Sequence, residues 1–521
     1  MSARSDVEEF SKIRSLLWPI HSYELKKIIP MFFMFFCISF NYTILRDTKD
    51  SLIVTAPGSG AEAIPFLKVW CVVPSAIILM LIFSKLSNSL SKEKLFYSMI
   101  CPFIGFFALF GFVLYPLRDI LHPVESAEFL KSLLPSSAAA KGIVAIYRNW
   151  TFGLFYILAE MWGSMVLSMM FWGFANDINK ISEAKRFYGL LGIGANIALI
   201  FSGRAIIWAA PGAGGRPYSQ SLQVLMLLVF IAGLCIIGTY YYMQRSILSD
   251  PQFYDPTLIK KKKNKTKMSI KDSLKYLSRS KYLGCIAFIV MAYGVSINLI
   301  EVIWKSQVKA AYPNPAEYTN FMGHFSTMTG VVTLFMFLFV SHNVIRRFGW
   351  SIAACVTPVV LLITGVFFLN FIVFKDFFIG YLATMGTSPL MMAVIFGAAQ
   401  NIMSKSAKYS LFDPTKEMSY IPLDEESKTK GKAAIDVVAA RLGKSGGSLI
   451  QQFLMLFVPS AIAMAPYVGA IFIVICGGWI YCARALGRRY EKLVSEQEAE
   501  QESAGIKVEQ ARNLELGKAS T

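Results

Sequence analysis

The sequence has 521 residues, of which 55% are hydrophobic, 14% aromatic and only 16% charged. Because about a quarter of the residues in soluble domains are charged, this composition argues against a soluble protein and predicts a polytopic membrane protein. The formal net charge of +18 lies largely in short segments beside apolar runs. There it predicts membrane topology, not nucleic-acid binding, and part of it is suited to attract an anionic solute.

Apolar runs of membrane-spanning length recur along the chain, six before residue 244 and six after residue 281. The predicted spans are 28–53, 64–84, 95–116, 150–175, 187–209, 221–243, 282–304, 321–341, 351–372, 378–402, 434–459 and 463–485. We therefore predict an all-α membrane protein with twelve transmembrane helices. The even number and the hydrophilic middle connection predict two six-helix bundles, as in the major facilitator architecture.

The predicted organisation has five parts: a cytoplasmic N-terminal segment (1–27), the first bundle (28–243), a basic cytoplasmic linker (244–281), the second bundle (282–485) and a cytoplasmic tail (486–521). The linker contains Lys260-Lys261-Lys262-Lys263, a density of positive charge that is typical of cytoplasmic loops. Because loops of the same parity are also basic, among them the segment that contains Lys405, we predict that both termini are cytoplasmic. An alternative role for the lysine cluster is to bind anionic lipid.

The cysteines and histidines do not indicate a metal site or a catalytic site. All eight cysteines fall in apolar runs without CxxC spacing, and the four histidines are scattered, so we predict no metal and no cofactor. Gly443-Lys444-Ser445 is not a P-loop, because Val438 stands where the first glycine is required and no strand precedes it. We therefore predict that the protein is not an enzyme. With no signal or transit peptide visible, we expect a complete, bacterial chain.

Glu160 lies near the middle of the apolar run 150–175. A carboxylate at that depth costs several kcal/mol, so such a residue usually faces a polar cavity or a partner charge. Two interpretations follow, a structural ion pair between helices and a residue that lines a solute pathway. The second is favoured.

Cations occupy two other predicted spans. Lys444 lies well inside the run 434–459, and Arg441, three residues before it, shares its helical face. In the first span, Arg46 and Lys49 follow eighteen uncharged residues that begin at Ile28. Snorkelling to the membrane surface is the alternative there. The apolar residues that resume after Asp50 favour a helix that continues, with Arg46 and Lys49 on one face.

Glu301 lies near the end of the seventh predicted span, where a local pair with Lys305 at i+4 is an alternative to a functional role. A mixture of cations and carboxylates inside apolar helices predicts a water-filled cavity for a phosphate-bearing or carboxylate solute. The aromatic residues of the region also suit stacking on a purine, although such residues are common in membrane helices. They are Phe171, Trp172, Phe174 and Tyr188.

Several long motifs resemble the ATP/ADP translocase (nucleotide transporter) family of obligate intracellular bacteria and plastids, its chlamydial members above all. The matching runs are N-Y-T-I-L-R-D-T-K-D (41–50), F-W-G-F-A-N (171–176), E-A-K-R-F-Y (183–188), G-I-G-A-N (192–196), K-G-K-A-A-I-D-V-V (430–438) and R-L-G-K-S-G-G (441–447). The resemblance covers nearly the whole chain. It implies import of host ATP across the bacterial inner membrane in exchange for ADP and inorganic phosphate.

The resemblance also implies a substrate site. The important charged positions of the family fall on Lys49, Glu160, Glu301 and Lys444, and Asn196 is a further expected contact to the base or a phosphate. With Arg46 and Arg441, these residues are the predicted substrate site of a monomer that exchanges ATP and ADP by alternating access. The alternatives are proton-coupled uptake of nucleoside triphosphates and a membrane scaffold that does not transport.

Overall fold

The computed structural model of the chain describes residues 20–210, 215–250, 253, 280–424 and 431–519. These residues form helices and short connections, and no strand occurs among them. The lysine cluster at 260–263, predicted to be cytoplasmic, lies outside the described residues. We call residues 20–253 the N-terminal half and residues 280–519 the C-terminal half. Their division into two six-helix bundles stays a prediction.

The long helices are numbered in chain order. They are α1 (Ser22–Thr55), α2 (Ala63–Ser89), α3 (Lys92–Leu114), α4 (Trp150–Ile178), α5 (Arg186–Ala209), α6 (Tyr218–Ile247), α7 (Lys281–Ala311), α8 (Pro315–Val340), α9 (Asn343–Val373), α10 (Pro389–Met418), α11 (Ala440–Met455) and α12 (Ile462–Glu496). Two shorter helices that the sequence did not predict, Val124–Leu133 and Ala138–Arg148, lie between α3 and α4.

Ten of the helices in the described part of the chain are long and apolar enough to cross a membrane, or eleven if Lys375–Thr384 and α10 count as one bent span. Helix α11 differs from these ten. It has 16 residues, includes Arg441 and Lys444, and follows helical residues 431–439 that carry further charges. The all-α membrane fold is therefore confirmed, and the number of twelve spans stays a prediction.

Two glycines with positive φ angles mark breaks in the helices. Gly386, with φ +72°, separates Lys375–Thr384 from α10, and the two segments meet at 100°. Ser388 then caps α10 by accepting a hydrogen bond from the Met391 amide at 3.2 Å. The prediction of one continuous span over 378–402 was wrong for this reason. Gly349, with φ +75°, interrupts α9 two residues before the predicted start of the ninth span.

Helices α1 and α7 lie at the centre of the molecule. Helix α1 packs against α4, α5 and α6 of its own half and against α8 of the other half, while α7 packs against α10, α11 and α12. Both are the most buried of the apolar helices. The charged side chains from Arg46 to Asp50 of α1 and from Glu301 to Lys309 of α7 therefore face other helices.

The bundle has two ends. The terminal end holds Ser22 of α1, and the far end holds the loop after Thr55. Among the described residues, the hydrogen bonds and ion pairs between the halves lie from mid-bundle to the far end. Those nearest the far end are Lys309 to Ser59 O, Gln452 Nε2 to Pro65 O (2.9 Å), Ala138 N to Val458 O (3.0 Å), Lys141 Nζ to Pro459 O (2.9 Å) and Asn320 Nδ2 to Ala210 O (2.8 Å). The halves are therefore joined at the far end.

Candidate substrate-binding site

The charged motif of the first span is part of a continuous helix. Leu25–Thr55 stays α-helical through Arg46-Asp47-Thr48-Lys49-Asp50. Lys49 and Asp50 are each only 3% exposed, and Asp47 is fully buried. Snorkelling is therefore the wrong interpretation for this segment. The helix continues past its charges because other charged and polar side chains meet them inside the protein.

Six of these side chains form an unbroken series of ion pairs, which we call the charge chain. In order, its members are Glu160, Lys49, Asp50, Lys305, Glu301 and Lys68. The successive N–O distances are 3.0, 2.9, 2.8, 3.0 and 3.3 Å. Three lysines alternate with three carboxylates, so the formal charges cancel. Such matching is required because an uncompensated buried charge costs several kcal/mol.

The charge chain crosses twice between the halves. Lys305 of α7, which is 1% exposed, pairs with Asp50 of α1. Lys68 of α2 pairs with Glu301 of α7, and its Nζ also donates to Asn298 Oδ1 at 2.7 Å. The local Glu301–Lys305 pair foreseen as an alternative does form, but it is one link of this longer series.

Glu160 is the least enclosed carboxylate of the charge chain. Its side chain keeps 33% of its surface exposed, although its partner Lys49 keeps only 4%. The ring of Tyr156 covers Lys49, with Nζ 3.9 Å from the ring centre. The ion pair considered for Glu160 is thus present. The exposed surface of Glu160, near the middle of α4, marks the solvent-accessible side of the charge chain.

Arg46 belongs to a second, smaller cluster beside the charge chain. Its Nε lies 2.9 Å from Asp47 Oδ1, and its Nη2 donates to Ser326 Oγ of α8 at 2.8 Å. The Ser326 hydroxyl in turn donates to Asp47. Asp47 therefore neutralises Arg46, and Ser326 fixes the pair against the C-terminal half.

Helix α11 brings Lys444 to the charge chain through close backbone packing. A Cβ atom at Gly443 would lie 2.9 Å from Met291 O, and one at Gly294 would lie 2.9 Å from the Gly443 carbonyl carbon. Only glycine permits this approach of α11 to α7. Lys444, next to Gly443, is exposed and interacts electrostatically with Glu160 and Glu301. Within the described part of the chain it has no ion-pair partner.

Lys405 is a cation that the sequence analysis assigned to a basic loop. The structure places it on α10, with Nζ 4.8 Å from the ring centre of Phe325. Arg46 repels its charge, and Glu301 and Asp47 attract it. Lys405 nevertheless forms no ion pair with the described residues. Lys405 and Lys444 are therefore cations beside the charge chain that lack a carboxylate of their own among these residues.

The structure brings together four of the seven predicted site residues closely: Lys49, Glu160 and Glu301 in the charge chain and Lys444 beside it. Arg46 is adjacent. Arg441 is exposed and makes no ion pair with the described residues, and Asn196 donates from Nδ2 to Gly192 O of its own helix at 3.0 Å. The backbone carbonyl oxygen of Asn196 packs against Gly330 of α8. Substrate contacts by these two residues stay predictions.

Sequence reasoning missed Lys68, Lys405 and Asp50 as members of the site, and it considered Lys305 only as a local partner of Glu301. Asp50 was visible in the charged motif of α1, whereas Lys68 and Lys405 looked like residues at the edges of spans. Among the suggested stacking residues, Phe171 is fully buried and Phe174 packs on Tyr240, with ring centres 5.0 Å apart. Both are core residues, with no ring face open to a base. No group of three potential metal ligands occurs among the described residues.

The fold and the site define a helical membrane protein in which a series of buried ion pairs joins the two halves. The structure is similar to a bacterial homologue of the iron transporter ferroportin in an inward-facing state, with a TM-score of 0.56 and 13% identity, covering 90% of this chain and 99% of that one. It is also similar to the nucleoside transporter NupG, with a TM-score of 0.52 and 10% identity, over 88% and 99% of the two chains. At these identities the likeness concerns the fold alone.

The profile of the TLC ATP/ADP transporter family matches residues 3–490, and the chain belongs to that family. It is 56% identical to ADP,ATP carrier protein 1 of Chlamydia pneumoniae, over 96% of this chain and 99% of the relative. It is 51% identical to the chloroplastic ADP,ATP carrier protein 1 of Arabidopsis thaliana, over 95% and 79%. For ADP,ATP carrier protein 1 of Rickettsia prowazekii the identity is 42%, over 96% and 100%.

Proposed function

We propose that this protein exchanges ATP for ADP across a membrane by alternating access, and that the charge chain and the cations beside it bind the nucleotide phosphates. Membership of the family and the names of the relatives support the substrates. The observation that carries the site is the continuous charge chain between the halves, with Lys444 and Lys405 beside it.

The phosphates first meet Lys444 and Lys405. These two cations have no carboxylate to displace among the described residues, so a polyphosphate gains charge-assisted hydrogen bonds without breaking existing pairs. The partly exposed Glu160 interacts electrostatically with Lys444. A phosphate that reaches Lys49 then competes with Glu160 for the ammonium group. Glu160 and Glu301 are, in this proposal, the counter-ions that hold the lysines in place between substrates.

The same contacts explain why transport is an exchange. Opening the far end requires the Asp50–Lys305 and Lys68–Glu301 pairs to separate, and an unpaired charge left in a dry interior costs several kcal/mol. Phosphate oxygens offer the separated lysines new partners. Only the loaded carrier then reorients readily, because a ligand shifts a conformational equilibrium through contacts that differ between the two states.

The multi-pass membrane location is shown by the apolar helices. We propose further that the membrane is the bacterial inner membrane, that both termini are cytoplasmic and that the terminal end of the bundle faces the cytoplasm. The basic loops at that end support this orientation. Inorganic phosphate as a companion of ADP, and a monomeric state in the lipid bilayer without nucleic acid, belong to the same proposal.

Counter-exchange in proteoliposomes tests this function. Vesicles that contain the purified protein are loaded with ADP, with buffer alone or with AMP, and uptake of labelled ATP is followed. The proposal predicts rapid uptake only into vesicles loaded with ADP. Equal uptake into empty vesicles, increased by an inward proton gradient, would favour the proton-coupled alternative. Uptake no faster than into protein-free vesicles would favour a scaffold that does not transport.

A further inference from the structure

Helix α1 presents a stripe of three functional side chains, Tyr42, Arg46 and Lys49, at intervals of four and three residues. Between residues 41 and 54, all side chains are buried except those of Tyr42 and Arg46, which are partly exposed. The Arg46 guanidinium carbon lies 6.0 Å from the centre of the Tyr42 ring. Because one helical turn separates successive members, Tyr42 lies toward the terminal end and the cations lie deeper.

The Tyr42 ring packs against α4 at Gly163, a position without a side chain. A Cβ atom at Gly163 of α4 would lie 2.6 Å from Tyr42 Cε2 and 3.2 Å from Cδ2, so a residue larger than glycine would displace the ring. Gly163 follows Glu160 by three residues, so it shares the face of α4 that carries Glu160. The Tyr42 ring is thereby held against the side of α4 that carries Glu160, the most exposed carboxylate of the charge chain.

Helix α10 repeats the arrangement in the C-terminal half. Lys405 and Tyr409 are four residues apart, and because α10 runs opposite to α1, Tyr409 lies on the terminal side of Lys405. Tyr409 is 52% exposed, and Lys408 Nζ stands 4.5 Å from the centre of its ring. The hydroxyl groups of Tyr409 and Tyr42 lie within electrostatic range of each other. Each half therefore contributes one tyrosine nearer the terminal end and one or two cations nearer the far end.

We infer that Tyr42 and Tyr409 form a subsite for the flat aromatic base of the nucleotide. This inference rests on the proposed function, because it assumes that phosphates occupy the cations. A turn of helix, about 6 Å, separates Tyr42 from Arg46 and Tyr409 from Lys405, which leaves room for the ribose between base and phosphates. The tyrosines offer ring faces for stacking, which tolerates different bases because every base has a π face.

The orientation of the substrate follows from this arrangement. The polyphosphate points toward the far end, to Lys49, Lys405 and Lys444, and the base lies nearer the terminal end. Contacts from both halves to one rigid ring give the base a share in closing the terminal end over a bound nucleotide. Tyr293 is stacked on Phe412, with ring centres 5.3 Å apart, and is not assigned to the subsite.

The test removes the ring from the protein and the base from the ligand. Dissociation constants for ATP and for ribose 5-triphosphate, which has the same phosphates without a base, are measured on purified full-length protein. The variants are Tyr42→Leu, Tyr409→Leu, the two combined, and the corresponding Tyr→Phe changes. Tyr481→Leu is the matched control, because Tyr481 is a 73% exposed tyrosine on α12. Thermal stability without ligand is recorded for each variant.

We expect the wild type to prefer ATP over ribose 5-triphosphate, and the combined Leu variant to lose roughly tenfold in ATP affinity, in line with base–aromatic stacking. Its affinity for ribose 5-triphosphate should not change, and the Phe variants and Tyr481→Leu should behave as wild type. Equal losses for both ligands, or unchanged ATP affinity, would overturn the subsite and leave the phosphate site standing. If the wild type binds neither ligand, the proposed function fails, and the subsite fails with it.

Discussion

Lys305 Nζ lies 2.8 Å from Asp50 Oδ2, and this pair joins the central helix of one half to the central helix of the other. Asp50 accepts from Lys49 through its other oxygen, at 2.9 Å, so one carboxylate holds a lysine from each half. All three residues are at most 3% exposed. Their balance of charge is therefore a condition of the closed far end.

Replacing Asp50 with Asn should destabilise the protein more than replacing both Asp50 and Lys305. The single change leaves the charge chain with a net positive charge inside the protein, a type of defect that costs about 3–5 kcal/mol, whereas Asp50→Asn with Lys305→Gln restores neutrality. The measurement is the unfolding temperature in detergent without ligand. Losses that simply add in the double variant would show that the two residues do not interact.

Lys444→Gln should reduce exchange without lowering stability, while Lys49→Gln should reduce both. Lys444 has no ion-pair partner among the described residues, whereas Lys49 holds Asp50 and Glu160. Counter-exchange rates and unfolding temperatures of the two variants separate these effects. A large drop in stability for Lys444→Gln would assign that lysine a structural role instead.

Lys405→Gln should weaken ATP binding by roughly tenfold, the size expected for one charge-assisted hydrogen bond. The matched control is Lys92→Gln, which removes a lysine whose side chain is 77% exposed and pairs with Asp177. Dissociation constants for ATP are measured for both. If Lys92→Gln weakens binding as much as Lys405→Gln does, the effect comes from net charge and not from the site.

A disulfide across the far end should stop transport reversibly. Ala138 N donates to Val458 O at 3.0 Å, which places the two backbones near the separation that a disulfide requires. In a background without the eight native cysteines, Ala138→Cys with Val458→Cys should lose ATP uptake on oxidation and regain it on reduction. Each single-cysteine variant is the control. Undiminished uptake by the cross-linked protein would mean that the far end does not open during transport.

The sequence predicted most of the helices because apolar length is a local property. It also singled out Glu160, Lys49 and Lys444 as candidate site residues, since a charge inside an apolar run is visible without knowledge of packing. The bend before α10 was missed because Gly386 and Ser388 interrupt a run whose composition stays apolar. Apolar composition measures the tendency to enter a membrane and carries no information on direction.

The partners of the charges were beyond sequence reasoning. Lys68 and Glu301 are 233 residues apart, and their pairing depends on how α2 meets α7. Lys405 was read as a topology signal because it lies near the end of an apolar run, where lysines usually face water. Only the packing of α10 beside α8, which sets Lys405 over Phe325, reveals that this lysine points inward.

The most direct test of the central claim is an experimental structure of the protein with ADP bound. The account predicts density for the diphosphate within hydrogen-bonding distance of Lys444 and Lys405, with Lys49 turned from Glu160 toward a phosphate. Density for the nucleotide at another site, with all five links of the charge chain intact and Lys444 and Lys405 uncontacted, would contradict it.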